Sequence, residues 1–243
     1  MSAPAKKDRT VSEGTTSLRL LVDDSPAAKL GRSNAPLWVV AGLALLGFAA
    51  LAIDVPLAEW LAAQKLPGFL KKICDLAEVF GHGLGVAAIL FTAWVLLPQQ
   101  RSQLPRVICC AYLAGLLADC FKLFLSRSRP NTIDLAALSS VWATFHRWFP
   151  LLSAGSGEQS FISAHTATGV GLALGLGWLL PRGKWLFGFF ALLVALQRMT
   201  GLYHFASDTL WGAAIGWLTA CALLPGGWLA PQFDRLERKF TAA

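Results

Sequence analysis

Six apolar stretches, at about 36–54, 80–97, 105–125, 161–180, 185–202 and 207–225, leave this chain few ways to fold. A helix crossing the hydrocarbon core of a bilayer needs roughly 20 mostly apolar residues, and each stretch approaches that length. Composition agrees: 55% of the 243 residues are hydrophobic and only 14% charged, where soluble domains carry about a quarter charged residues. The expected fold is all-α, a six-span transmembrane helical bundle over 36–228. A disordered cytoplasmic tail over 1–35 precedes it and a cytoplasmic tail over 229–243 follows.

The separators refine this plan. Residues 55–79 mix apolar side chains with Glu59, Lys65, Lys71, Lys72, Asp75 and Glu78. This pattern reads as an amphipathic interfacial helix between spans one and two, broken near Pro67-Gly68. The longest gap, about 126–160, holds Pro130, Pro150 and Gly155-Ser156-Gly157. Basic residues before span one, in the Arg101/Arg106 and Arg182/Lys184 turns, and at Arg235, Arg238 and Lys239 all fall on one side of a six-span chain. The positive-inside rule makes that side cytoplasmic. The net charge of +7 thus carries topology, and no nucleic-acid partner is expected. The first apolar run begins too late for a cleaved signal and reads as an uncleaved span. Five cysteines, an odd number lying mostly in apolar runs, suggest neither a disulfide framework nor a zinc site. Gly171 and Gly175 have the spacing of close helix packing. The glycines around His82 follow no strand and are not a nucleotide fingerprint.

Ionisable side chains at span ends are costly and signal function. Lys122 ends span three and Arg129 follows seven residues later. The two would share a helical face if the helix ran that far, although Pro130 disfavours helix at Arg129. Ser163 and His165 open span four, and Arg198 closes span five. His204 and Asp208, four residues apart, straddle the start of span six. Alternating topology requires all of these ends to meet at one membrane face. Three cations, two histidines, a carboxylate and a serine at one depth describe a phosphate site. Lys and Arg bind phosphate oxygens and offset charge developing in phosphoryl transfer. A histidine held by a carboxylate can act as nucleophile, and a second can protonate the leaving group. No cluster offers a ligand set for a metal, so neither metal nor cofactor is expected.

At these residues the chain resembles the type 2 phosphatidate phosphatase superfamily, which includes vanadium haloperoxidases and bacterial acid phosphatases. Its first motif, Lys, six residues, Arg-Pro, reads here KLFLSRSRP, from Lys122 to Pro130. Its second, Pro-Ser-Gly-His, reads FISAHT, with Ser163 and His165. Its third reads QRMTGLYHFASD, with Arg198, His204 and Asp208. The resemblance implies that Lys122, Arg129 and Arg198 bind phosphate, with Ser163 and the backbone at Ala164 as further donors. It implies that His204 attacks phosphorus, Asp208 orients it and His165 is the general acid. Three positions depart from the motifs: Ile162 replaces Pro, Ala164 replaces Gly and Gln197 replaces Ser.

The function this implies is metal-independent hydrolysis of a membrane lipid phosphate or diphosphate, of the phosphatidate, phosphatidylglycerophosphate or polyprenyl diphosphate type. The reaction would pass through a phosphohistidine at the non-cytoplasmic face, periplasmic in a bacterial inner membrane. The alternatives are a phosphatase or phosphotransferase for a soluble phosphoester, and a lipid-binding membrane protein whose site has drifted. Other polar residues have plainer readings. His82 and His146 are expected in interfacial or loop positions, and Arg127 is expected to snorkel to headgroups. Asp119 is expected in a structural pair, and Trp142 and Trp148 in an interfacial belt.

Overall fold

The computed structural model describes residues 37–64, 67–151 and 155–241; the tail expected over 1–35 lies outside the described residues. The described chain is mostly helical. Helix α1 (Leu37–Ala50) is apolar throughout and ends in a turn at 51–53. Helix α2 (Asp54–Ala63) then leaves at a bend of 72°, with Asp54 in the first turn, where the helix dipole favours a carboxylate. Helix α3 (Gly68–Ala77) starts directly after Pro67, so the break expected near Pro67-Gly68 is present. A 3-10 turn at Glu78–Phe80 leads, through a 68° bend, into α4 (Gly83–Leu96).

Helix α5 (Leu104–Lys122) follows another 3-10 turn and stops at Lys122. Lys122 and Arg129 therefore do not share a helical face. The chain instead goes extended into β1 (Leu125–Arg127), which pairs antiparallel with β2 (Phe145–Trp148), setting Arg127 opposite Phe145. This hairpin is an addition to the all-helical expectation. Helices α6 (Ala164–Leu179), α7 (Lys184–Thr200) and α8 (Ala206–Leu223) complete the bundle. The expected cytoplasmic tail contains α9 (Ala230–Thr241).

Helix α6 is central and packs on α5, α7 and α8, while α1 lies along α8. Small residues permit this closeness. A Cβ at Gly171 would collide with the Cys110 carbonyl of α5, and one at Gly216 would lie 2.6 Å from the Ala167 carbonyl. The core between α4, α5, α6 and α7 is closed by Val86, Leu90, Val107, Leu172, Leu176 and Val194. At the far end Arg106 is wholly buried and pairs with Asp234 at 2.5 Å and Glu237 at 2.7 Å. It is thus an anchor for α9 rather than a loop charge.

By length and composition the stretch Pro98–Lys122 could cross a membrane, and each of the bent pairs, α1 with α2 and Gly68–Phe80 with α4, could do so as one span.

Candidate active site

Five chain segments converge at one end of the bundle. The last turn of α5 carries Lys122, and the segment after β1 carries Arg129, whose N–H donates to the Gly157 carbonyl at 2.8 Å. Helix α6 opens with Ser163 as N-cap, followed by Ala164 and His165. Helix α7 ends with Arg198, and Leu202 takes a left-handed φ of 55°. That turn folds the chain back, so the Tyr203 and His204 amides both donate to the Arg198 carbonyl, at 3.0 and 3.2 Å. Asp208 lies in the first turn of α8, and its carbonyl accepts the Ser163 amide at 3.1 Å.

His204 is buried, and its Nδ1 lies 2.6 Å from the Ser160 carbonyl oxygen. A carbonyl can only accept, so Nδ1 carries the proton and Nε2 of the neutral ring keeps its lone pair. Burial, then Lys122, with smaller contributions from Arg129 and Arg198, pushes the imidazole well below its ordinary value, against the opposing Ser160 bond. The three cations expected at the site therefore all act on one ring.

Two expectations need correction. Asp208 Oδ2 is 3.9 Å from His204 Nδ1, too long for a hydrogen bond. The carboxylate instead accepts from Ser160 Oγ at 2.6 Å, the Phe205 amide at 2.9 Å and Arg127 Nη1 at 2.5 Å. It braces the residue whose carbonyl holds His204. Arg127, expected to snorkel outward, has no exposed surface. Its guanidinium bridges Asp208 and the buried Asp54, bonds Ser207 and Thr144, and lies 4.5 and 4.2 Å from the rings of Phe145 and Phe205. A full charge at this depth needs such neutralisation, and Asp54 supplies it from the α1–α2 junction.

The phosphate-binding candidates have distinct surroundings. Lys122 is held by Asp119 at 2.8 Å, which names the partner Asp119 was expected to have. Burial and the neighbouring Arg198 push the Arg129 guanidinium down from its ordinary value. Arg198 donates to Glu78 at 2.8 Å and to Gln197 at 2.5 Å, and lies 4.6 Å from the Tyr203 ring. The Ser163 hydroxyl lies 3.0 Å from Thr166 Oγ1 and caps α6 through the Thr166 amide. The Ala164 amide is one of the first N–H groups of α6, which a helix leaves without an internal partner. His165 Nε2 is 3.8 Å from Glu78, and its ring centroid is 5.8 Å from that of His82. His82 thus neighbours the site rather than lying apart from it, while His146 sits in β2 and bonds Ser128 at 2.5 Å. Among the described residues, Arg129 Nε and His165 Nε2 are buried with no hydrogen-bond partner. Two buried nitrogens without partners, one of them a guanidinium donor, amid clustered cations suit an oxyanion.

Ser160, Asp54 and Glu78 were not expected at the site. A backbone carbonyl leaves no mark in sequence. The two carboxylates left one: in so charge-poor a chain, an acid at a helix end needs a cation.

Two solved structures share the fold. Aquifex aeolicus LpxE matches with a TM-score of 0.53 and 20% identity, covering 70% of this chain and 93% of its own. A transmembrane PAP2 type phosphatidylglycerolphosphate phosphatase from Bacillus subtilis matches with a TM-score of 0.51 and 18% identity, covering 82% of this chain and 96% of its own. At these identities the likeness establishes a common fold alone. A comparison with curated proteins finds no match. The PAP2 superfamily model matches residues 103–230, more than half of the chain and every motif residue from Lys122 to Asp208. The chain belongs to the PAP2 superfamily.

Proposed function

We propose that this protein is an integral membrane phosphatase that hydrolyses a lipid phosphate or diphosphate, without a metal, through a phosphohistidine on His204. The observation that carries the reading is the neutral His204 ring, its proton on the Ser160 side, within the field of Lys122, Arg129 and Arg198. In the first step the Nε2 lone pair attacks phosphorus, and the bond to the leaving oxygen breaks as His165 gives that oxygen a proton. In the second, water attacks phosphorus and returns a proton to His165, the P–N bond breaks, and phosphate departs. The cations offset the charge on the phosphoryl oxygens throughout. Ile162, buried against Ala114, Ala118 and Ala167, serves packing, so its departure from the motif leaves this chemistry intact.

Membrane residence and a lipid substrate rest on the outer surface. Leu84, Phe91, Leu96, Trp185, Leu186 and Phe189 project outward with more than half their area exposed, an apolar girdle that water would penalise. An apolar cavity of about 720 Å³, bordered by Phe48, Phe121, Phe161 and Trp211, suits a hydrocarbon chain near the site. We assign crossings to α1, α4, α5, α6, α7 and α8, with α2 and α3 along the interface. Both termini are then cytoplasmic and the site opens on the opposite side, the periplasm of a bacterial inner membrane. The alternation of these helices and the basic Arg101, Arg182 and Lys184 turns support this.

Detergent-purified protein should release phosphate from phosphatidate, phosphatidylglycerophosphate or a polyprenyl diphosphate in EDTA, and His204→Ala should abolish it. A strict metal requirement, or a preference for water-soluble phosphoesters, would overturn the reading.

A further inference from the structure

Resting on that reading, we propose that Glu78 and Gln197 form a positioning clamp, which fixes Arg198 for the phosphate and stabilises the proton-carrying form of His165. Glu78 lies outside the segment matched by the superfamily model, and Gln197 stands where the motif has serine. Their geometry explains one another. Glu78 Oε1 accepts from Arg198 Nη2 at 2.8 Å, and Gln197 Oε1 accepts from Arg198 Nε at 2.5 Å. Gln197 Nε2 reaches back to Glu78 Oε2 at 3.4 Å and closes the ring. A serine is too short to span these two partners. Packed over Tyr203 as well, the Arg198 fork loses freedom before any ligand arrives, and Nη1 and the second Nη2 hydrogen remain to meet an oxyanion.

The same carboxylate faces His165. Arg198 from α7 is bonded to the same Glu78, His82 before α4 has its ring 5.8 Å from that of His165, and Lys122 from α5 and Arg129 from the loop are the site's other cations. Such positive neighbours repel the imidazolium needed to protonate the leaving oxygen. Glu78 Oε1, 3.8 Å from His165 Nε2, is an opposing negative group beside that ring, and the turn Glu78–Phe80 carries it to both partners. One acid therefore serves two steps. It braces a phosphate ligand, and it favours the charged state of the group that donates and then recovers the proton.

The test compares full-length Glu78→Gln, Gln197→Ser and wild type in detergent, with phosphatidate as substrate and orthovanadate as a phosphate probe. Glu78→Gln should lower kcat/KM by about 10- to 100-fold, the scale of a lost charged hydrogen bond. It should weaken vanadate binding and move the alkaline limb of kcat to lower pH, because His165 then gives up its proton more readily. Gln197→Ser should raise KM and weaken vanadate while leaving that limb in place. A folded Glu78→Gln protein with wild-type vanadate affinity and pH profile would overturn the proposal. So would tighter vanadate binding, which would make Glu78 a competitor for the phosphate position. If wild type binds vanadate yet hydrolyses none of phosphatidate, phosphatidylglycerophosphate and a polyprenyl diphosphate, the phosphatase reading falls, and the vanadate comparison still decides the clamp on Arg198.

Discussion

His204 donates a hydrogen bond from Nδ1 to the Ser160 carbonyl at 2.6 Å, while the carboxylate of Asp208, four residues along the chain, stays 3.9 Å from the same nitrogen. The orienting force on the ring is thus a loop carbonyl, and Asp208 works by fixing that loop through the Ser160 hydroxyl and the Phe205 amide.

This division of labour predicts graded losses. Ser160→Ala keeps the carbonyl that orients the His204 ring and should reduce kcat only mildly. Asp208→Asn should cost more, on the order of 10- to 100-fold for a group acting through another, yet less than His204→Ala. Steady-state phosphate release from the three variants checks the order. Equal and complete inactivation by Asp208→Asn and His204→Ala would point instead to a direct carboxylate–imidazole bond during turnover.

Arg127 should be a stability residue. It is fully buried and neutralised by Asp54 and Asp208, and removing one member of such a set strands the others in low dielectric. Arg127→Ala should destabilise the protein by roughly 3–5 kcal/mol, read as a large fall in thermal midpoint in detergent. A snorkelling surface arginine would cost under about 0.5 kcal/mol.

How much of this was legible beforehand follows from range. The mostly helical character of the chain, the close contact at Gly171, and the meeting of Lys122, Arg129, Arg198, His165 and His204 follow from local patterns in the sequence. The burial of Arg127 does not, because it depends on Asp54, 73 positions away, and a lone arginine two residues before Arg129 reads equally well as exposed. The hairpin was hidden for a related reason. Its strands are 3 and 4 residues long, too short for alternation to register, and their pairing is set by what surrounds Arg127.

Acid should weaken the fold through His204. Its folded-state value lies well below 6.5, chiefly through burial, while the unfolded chain takes up the proton near 6.5. Between those values the unfolded state binds more protons, so stability falls as pH drops below about 6.5. The thermal midpoint should decline over that range, and His204→Gln should decline less steeply. On the proposed role of His204 its ring stays unprotonated over the same window, so kcat/KM of the folded protein should show no His204 limb near pH 6.5.

The most direct measurement is covalent. His165→Ala protein mixed with ³²P-labelled lipid diphosphate, whose leaving group needs little protonation, should accumulate acid-labile, base-stable label. Peptide mapping after alkaline work-up should find it on His204, and His204→Ala/His165→Ala should remain unlabelled. Turnover of the same substrate by wild type with label on another residue, or undiminished phosphate release from His204→Ala, would contradict the assignment of His204 as nucleophile.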